Sequence, residues 1–348
     1  MTLSPSAPTP GVSTGVDQGP RPSLRILYEH PDWFRPLFAE LDRRGIPFVG
    51  VDARSIAWDP TEEPRDGVLF NRMSPSAWTR GAPASVFATS DLLARAEAAG
   101  VRVVNGSRAW ATEISKIRQL ELLSRAGVEA PASRAAQSAE GTVRAASELA
   151  FPVVVKPNVG GSGAGVRAFG SADELRRAAS RGELDFGLTG VGVVQERFRS
   201  ADGAIQRVEV VGGRVLYGIR VFAPEDEFNL CPADACRTSD GEELTRSACA
   251  LDAVDHGLRV ERFDVPPGIA REVERIAHVS GIEVGGVEYV LDAVTGRRLY
   301  YDVNALSNFV ADGSSVLGFD PFVRLVDWLE TEVLSDAGAA SGSAGAVR

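Results

Sequence analysis

The sequence predicts a small parallel α/β unit followed by a mainly antiparallel α+β half, and three observations carry that prediction. The chain has 348 residues, 44% of them apolar and 24% charged, which suits two or three structural units around a large buried interior. Its first hundred residues alternate short apolar runs with helical patterns, the rhythm of a parallel sheet. Beyond residue 150 the strand-like runs crowd together and several are joined by Gly-Gly or Thr-Gly turns, the rhythm of hairpins.

Leu24 to Tyr28 is the first short strand, and Trp33 to Gly45 places Phe34, Leu37, Phe38 and Leu41 at helical spacing before Gly45 stops it. Pro47 to Val51, Gly67 to Phe70 and Val101 to Val104 are further strands, with an amphipathic helix from Ser90 to Gly100 before the last of them. A helix from Thr112, carrying Ile114, Ile117, Leu120 and Leu123, ends at Gly127; after a Pro-containing connection a second runs from Thr142 to Leu149. Strands follow at Val153 to Lys156, Val166 to Phe169, Val191 to Gln195, Gln206 to Val211, Val215 to Val221, Gly286 to Leu291 and Leu299 to Val303. The expected division is a disordered tail over 1–22, an N-terminal α/β domain over 23–111, a central subdomain over 112–195, a C-terminal subdomain over 196–334 and a disordered tail over 335–348. Both tails are rich in small and polar residues without apolar period.

Composition excludes several function classes. A net charge of -10 repels a polyanion, so nucleic acid is not expected as a partner. No stretch approaches the length of a membrane span and Met1 to Pro22 lacks the apolar core of a signal peptide, so the expectation is a cytoplasmic protein without membrane contact. Cys231, Cys236 and Cys249 are an odd, sparse set with spacing too wide for a common zinc knuckle. His30, His256 and His278 have no recurring partners, leaving little material for imidazole chemistry. Assembly with further copies is left open.

Only two of the 37 basic residues are lysines, Lys116 and Lys156. Where arginine serves almost every solvent-facing cation, a surviving lysine points to a site that needs a compact ammonium on a flexible stem, as phosphate sites often do. Lys156 ends an apolar strand that runs into Asn158-Val-Gly-Gly-Ser-Gly-Ala-Gly165 and then into another strand. P-loops and dinucleotide loops need a helix to begin at the glycines. What remains is a glycine hairpin whose backbone N–H groups can close over phosphates, or a plain structural turn. Gln195-Glu196-Arg197-Phe198 ends a later strand with acceptors and an aromatic ring that suit a purine, although an ordinary strand end reads the same way. Glu288, and Asp302 with Asn304 two residues on and therefore on the same face, put hard oxygen donors on adjacent strands. They stand among apolar neighbours, where an uncompensated charge is costly.

In this order, from about Ser115 to Val310, the segments resemble the ATP-grasp superfamily, and the nearest resemblance is to ribosomal-modification-type (RimK-like) amino-acid ligases. Leu122-Leu-Ser-Arg-Ala-Gly127, Pro131 and the closing Asp302-Val-Asn304 carry the latter. The resemblance implies an ATP-grasp fold behind an N-terminal pre-ATP-grasp domain. It implies an ATP-dependent carboxylate-amine ligase that uses ATP and Mg²⁺, two ions with Mn²⁺ as a substitute, to join amino acids or short peptides through an acylphosphate. Nucleotide contacts fall on Lys116, Lys156, Gly160, Gly161, Ser162, Gly163, Ala164, Gly165, Gln195, Glu196, Arg197, Phe198 and Asp202. Glu288, Asp302 and Asn304 would hold metal, Arg220 would stabilise the transferred phosphoryl group, and Arg207 and Arg72 are candidates for the substrate side.

Two positions depart from the family pattern: Ile205 stands where an acid precedes Arg207, and Ala305-Leu-Ser-Asn-Phe309 replaces the usual Ser-Pro-Gly after the asparagine. Both put the substrate in question more than the chemistry. The segment Phe228 to Cys236 is a substrate-facing loop or a mere connection. The rival reading is a degenerate ATP-binding module that regulates or scaffolds, against which the complete acid, acid, asparagine set argues. A nicotinamide dehydrogenase is disfavoured because His30-Pro-Asp-Trp33 follows the first strand in place of a G-x-G-x-x-G loop.

Overall fold

The computed structural model describes residues 24–64, 67–160, 165–222, 259–310 and 313–335. Residues 1–22 and 336–348 of the two tails, the segment Phe228 to Cys236, all three cysteines and Gly161, Ser162, Gly163 and Ala164 of the glycine hairpin lie outside the described residues.

The first unit is built from β1 (Leu24–Tyr28), α1 (Arg35–Arg44), β2 (Phe48–Asp52), β3 (Val68–Asn71), α2 (Pro83–Ala98) and β4 (Arg102–Val104). Its strands form a parallel sheet in the order β2-β1-β3-β4. Helix α1 stops where expected because Gly45 takes the left-handed conformation at φ 67° and turns its N–H back onto Asp42 and Leu41.

The helix expected from Thr112 is two helices, α3 (Ser107–Glu113) and α4 (Lys116–Arg125). The break falls at Ser115, whose hydroxyl accepts the Arg118 N–H as an N-cap. An N-cap must leave helical geometry, so the apolar spacing of Ile114 and Ile117 spans a corner. There follow β5 (Ser133–Ala136), α5 (Ala139–Ala146), β6 (Val153–Pro157), β7 (Arg167–Phe169), α6 (Ala172–Ser180) and β8 (Gly192–Glu196). The four strands make an antiparallel sheet in the order β5-β8-β6-β7, one face of which packs Val153, Val155 and Val194 against Ala146, Leu175 and Ala178 of α5 and α6.

The third sheet is antiparallel, in the order β11-β10-β9-β12-β13. It comprises β9 (Ala204–Val211), β10 (Arg214–Phe222), β11 (Arg259–Phe263), β12 (Val284–Leu291) and β13 (Arg298–Asn304), with α7 (Pro267–Ser280) between β11 and β12. One face buries Val208, Val210, Val287, Tyr289 and Tyr300 against Val273, Ile276 and Ala277 of α7 and Leu122 and Leu123 of α4. Beyond it lie α8 (Gly313–Leu317) and α9 (Pro321–Trp328), the latter continuing into a π-helical turn at Leu329–Leu334. Leu325, Val326 and Leu329 share one apolar cluster with Leu24, Ile26, Val68 and Phe70 of the first sheet and Tyr217, Ile219 and Val284 of the third. The first and third sheets are thus sealed to each other by a common core, and shortening Leu325 to Ala there is worth about 2–5 kcal/mol.

Candidate active site

Two rows of side chains cross the face of the third sheet opposite α7. Antiparallel register sets Ile219, Arg207, Glu288 and Asp302 opposite one another on β10, β9, β12 and β13. The next row is Tyr217, Glu209, Gly286 and Asn304. Residues directly opposite share a face, so the predicted acid, acid, amide set and Arg207 arrive together. Gly286 is needed in the second row, since a Cβ there would stand 2.9 Å from both Glu209 carboxylate oxygens and 3.0 Å from Arg207 Nη2.

The acids are compensated. Lys116 Nζ pairs with Asp302 Oδ1, and Asn304 Nδ2 donates to Oδ2 at 3.3 Å. Arg207 Nη1 meets Glu288 Oε1 at 2.7 Å, and Tyr301 OH donates to Oε2 at 2.7 Å. All four carboxylate oxygens are therefore engaged by the chain itself. Tyr301 gets there through a bulge: the register slips between Glu288 and Tyr289, so Tyr301 and Asp302 both face Glu288. Arg207 also pairs through Nε with Glu209 and reaches the Ser307 hydroxyl through Nη2 at 3.3 Å.

Both lysines are delivered by local structure. Lys116 is the first residue of α4, a position where the helix dipole disfavours a cation, and so its placement serves reach rather than helix stability. The start of α4 is fastened to the residue after β6: Asn158 Oδ1 accepts from Ser115 Oγ at 3.2 Å and from Ile117 N at 3.0 Å, while Lys116 N donates to Asn158 O at 3.0 Å. Lys156, on β6 itself, donates to Gln195 Oε1 at 3.0 Å, and Gln195 is held by its Nε2 on Ser133 Oγ at 2.9 Å. Gly160 lies close by, a built Cβ being 4.0 Å from Lys116 Cε. Gly165, at φ 74°, folds back on Pro157 so closely that a Cβ would come 2.6 Å from its Cγ.

Charge follows position. Burial pulls the Lys116 ammonium down, but Asp302, backed by Glu113 and Glu288, raises it above its ordinary value. Burial would raise the Asp302 carboxyl, and Lys116 overrides it and holds it low. Glu288 goes the other way, burial lifting it more than Arg207 lowers it. Lys156 is pushed down to about 8 by burial first and then by Lys116. Glu113, whose carboxylate takes the Ala305 N–H, is raised to about 7 by burial.

Other expected residues are not brought to this face. Arg220 lies opposite Gln206 on β9; alternation therefore turns it to the α7 side, where it is exposed over the Phe263 ring at 5.5 Å. Asp202 spends its oxygens within its own turn, on Ser200 Oγ at 2.8 Å, Ala204 N at 3.2 Å and Gln206 Nε2 at 2.9 Å. Glu196 alternates away from Gln195 and accepts the Ala150 N–H at 2.7 Å. The Glu196 and Arg197 amides donate to Ala132 and Pro152 carbonyls. Phe198 does approach, its ring 5.0 Å from that of Tyr301.

Sequence reasoning missed Glu209, Tyr301, Ser307 and Glu113. Glu209 was within reach of it, since Arg207 and Glu209 are two apart on one strand. Tyr301 was not, because strict alternation places it away from Asp302. Arg72 does enter from the first unit: it is 1% exposed, packs its guanidinium over the Phe34 and Phe70 rings at 5.3 Å each, and donates Nη2 to the Ser307 carbonyl.

Comparison with known proteins gives a family and a fold. The RimK-like ATP-grasp domain family matches residues 114–239. A probable alpha-L-glutamate ligase of Thioalkalivibrio sulfidiphilus is 30% identical over 223 residues, 59% of this chain and 71% of that protein. Among solved structures, the ATP-grasp ligase PsnB complexed with a minimal precursor superposes with a TM-score of 0.60 at 20% identity, over 88% of this chain and 98% of that one. D-alanine–D-alanine ligase from Bacillus anthracis gives a TM-score of 0.61 at 13% identity, over 91% and 99%. These two likenesses are of fold. Among the described residues no helix is long and apolar enough to cross a membrane.

Proposed function

The chain belongs to the RimK-like ATP-grasp family, and from that premise we propose that it is an ATP-dependent carboxylate-amine ligase. In the reaction a carboxylate oxygen attacks the γ-phosphorus of ATP, the bond to ADP breaks, and an acylphosphate forms. An amine then attacks the acyl carbon and phosphate leaves, giving an amide. We take amino acids or short peptides as both substrates, in keeping with the alpha-L-glutamate ligase name of the relative and with the precursor-peptide complex of PsnB. We place the reaction in the cytoplasm, and adopt the division into 23–111, 112–195 and 196–334 as domains.

The observation that supports this best is convergence: of the only two lysines of the chain, forty positions apart in sequence, Lys116 pairs with Asp302 and Lys156 stands near enough to lower the same carboxyl. Lys116 and Lys156 would neutralise phosphate oxygens, Lys156 as a cation that donates to a neutral amide. Arg207 would hold the reacting carboxylate side, and Gly160 and Gly165 flank the phosphate cover. Glu288, Asp302 and Asn304 supply oxygen donors of the hard kind that Mg²⁺ accepts from one or two carboxylates alongside phosphates; they would hold two such ions, or Mn²⁺, whose charge when bound offsets that of the phosphates. PsnB has been solved with Mg and ADP. The work of the chain's own residues is to gather anions that repel one another. Arg220, Asp202 and Glu196 have no part in this reading.

The test is ADP release from ATP against a matrix of carboxylate donors and amine acceptors, with mass spectrometry of the products. The expected result is a new amide whose formation matches ADP release. Tight ATP binding with no ADP release across the matrix would make the protein a passive nucleotide binder.

A further inference from the structure

The carboxylates expected to hold metal are already neutralised by the chain. Lys116 Nζ sits on Asp302 Oδ1 and Arg207 Nη1 on Glu288 Oε1, while Asn304 Nδ2 and the Tyr301 hydroxyl take the second oxygen of each. The balance extends over the whole cluster. Lys116, Lys156 and Arg207 stand against Asp302, Glu288 and Glu209, and Arg72 and Glu113 add one group of each sign. A bare divalent cation would bring uncompensated charge into this largely buried, balanced cluster, beside an ammonium that holds the oxygen it needs. A bare nucleotide would bring an excess of the opposite sign. Metal and nucleotide together offset one another.

The two cations on these acids differ in how they are held. Arg207 is a fork pinned on Glu288, Glu209 and the Ser307 hydroxyl. Lys116 pairs with Asp302 and otherwise reaches Gln119 Oε1 at 3.4 Å. Its stem passes the root of the glycine hairpin, since a Cβ built on Gly160 would lie 4.0 Å from Lys116 Cε. Its backbone is held by Asn158 at the foot of the same hairpin. A four-carbon stem anchored there turns its ammonium from the acid to a phosphate beside Gly160 by bond rotation alone, with α4 at rest.

We propose that Lys116 is the resident counter-ion of Asp302 and is exchanged for metal only when a nucleotide draws its ammonium away, so that the divalent ion enters with ATP and not ahead of it. Lys116 is then a gate on metal entry as well as a phosphate ligand. The inference rests on the nucleotide-and-metal part of the ligase reading and adds to it an order of filling.

The experiment titrates the full chain with Mn²⁺ in the absence of nucleotide, reading the free ion by electron paramagnetic resonance. Lys116→Met should bind Mn²⁺ at least about 10-fold more tightly than wild type, because Asp302 is left as an uncompensated charge that the ion repairs. Lys116→Arg, which keeps the charge, should bind it as weakly as wild type. Adding Asp302→Asn to Lys116→Met should abolish the gained site. Melting temperature gives a second reading: Mn²⁺ alone should raise that of Lys116→Met and leave that of wild type unchanged. If Lys116→Met fails to fold, Lys116→Gln, which keeps a hydrogen-bond donor for Asp302, carries the same comparison. Wild type that binds Mn²⁺ without nucleotide as tightly as the uncharged variant, or a gained site that survives Asp302→Asn, would overturn the proposal. Failure of wild type to bind an unreactive ATP analogue with Mg²⁺ present would instead count against the nucleotide reading.

Discussion

Two clusters of charge in this molecule are built on opposite plans. At the seam between α1 and α9, Glu40 takes Arg43 and Arg44, and Arg44 continues to Asp327 and Glu330. There Glu40 and both arginines are driven further into their charged forms: the Arg43 hydrogen bond outweighs burial and, with Arg44, brings the Glu40 carboxyl down to about 2, while Glu40 lifts Arg43 and Arg44. Around the candidate site several groups are driven toward neutrality, with Glu113 up to about 7, Lys156 down to about 8 and Arg72 down to about 10, each chiefly by burial. The first plan stabilises a fold. The second leaves charge to be completed from outside, which is how sites differ from struts.

The largest expected effect tests the second plan at a buried cation held by a neutral amide. Lys156→Arg should lower ADP release by about 100-fold or more, since a planar fork cannot replace a compact ammonium among phosphate oxygens, while melting temperature stays near wild type. Wild-type turnover in this variant would place the phosphates elsewhere.

Next, Asp302→Asn should raise the Mg²⁺ concentration needed for half-maximal turnover by at least the about 10- to 100-fold associated with outer-shell changes. It should also unsettle Lys116, which loses its ion pair with Asp302. An unchanged Mg²⁺ titration would remove Asp302 from the metal set.

Gly286→Ala is a smaller probe that separates crowding from charge. The added methyl meets buried Glu209 rather than a flexible surface tip, so denaturant midpoints should fall by the equivalent of about 1–3 kcal/mol, with turnover falling too. A variant as stable as wild type would mean that the second row has slack.

The smallest effects come from titration and sharpen the contrast by sign. Glu40 has a depressed carboxyl, so its contribution is present above the unfolded value of about 4.3 and is lost as pH falls toward about 2. Glu113 has a raised one, so the folded chain keeps a proton that the unfolded chain releases, and stability declines as pH climbs from about 4.3 to about 7. Melting curves of Glu40→Gln and Glu113→Gln across pH 3 to 8 should each flatten one of these limbs, about the range set by those values. If both variants flatten the same limb, the two clusters do not differ in plan.

Much of this arrangement could be read before any coordinates, and the reasons for the rest are specific. Period two put Asp302 and Asn304 on one face, and helical period with Gly45 closed α1, because both signals are local. Tyr301 escaped because a bulge cancels alternation at one residue. The corner at Ser115 escaped because apolar spacing runs through it and a capping hydroxyl decides it. Arg220 was placed by its order along the chain, whereas register with β9 sets its face. Helix α7 was legible in principle, with Ile269, Val273 and Ile276 at helical spacing, and went unread beside a long stretch without pattern. The meeting of Arg72 with Ser307, 235 positions away, belongs to tertiary structure alone.

The fastening of α4 to Asn158 bears on how the site tolerates motion. Lys116 and Lys156 sit on different elements, yet one residue at the end of β6 serves as the datum for both: it grips the first turn of α4 through side chain and carbonyl and is joined to Lys156 through Pro157. Helix α4 in turn packs Leu122 and Leu123 into the core of the third sheet, so Asn158 ties the second sheet to the third beside both ammonium groups. The spacing between two phosphates is a constant of the nucleotide, and a single bolt that locks the helix of one lysine to the strand of the other holds that dimension.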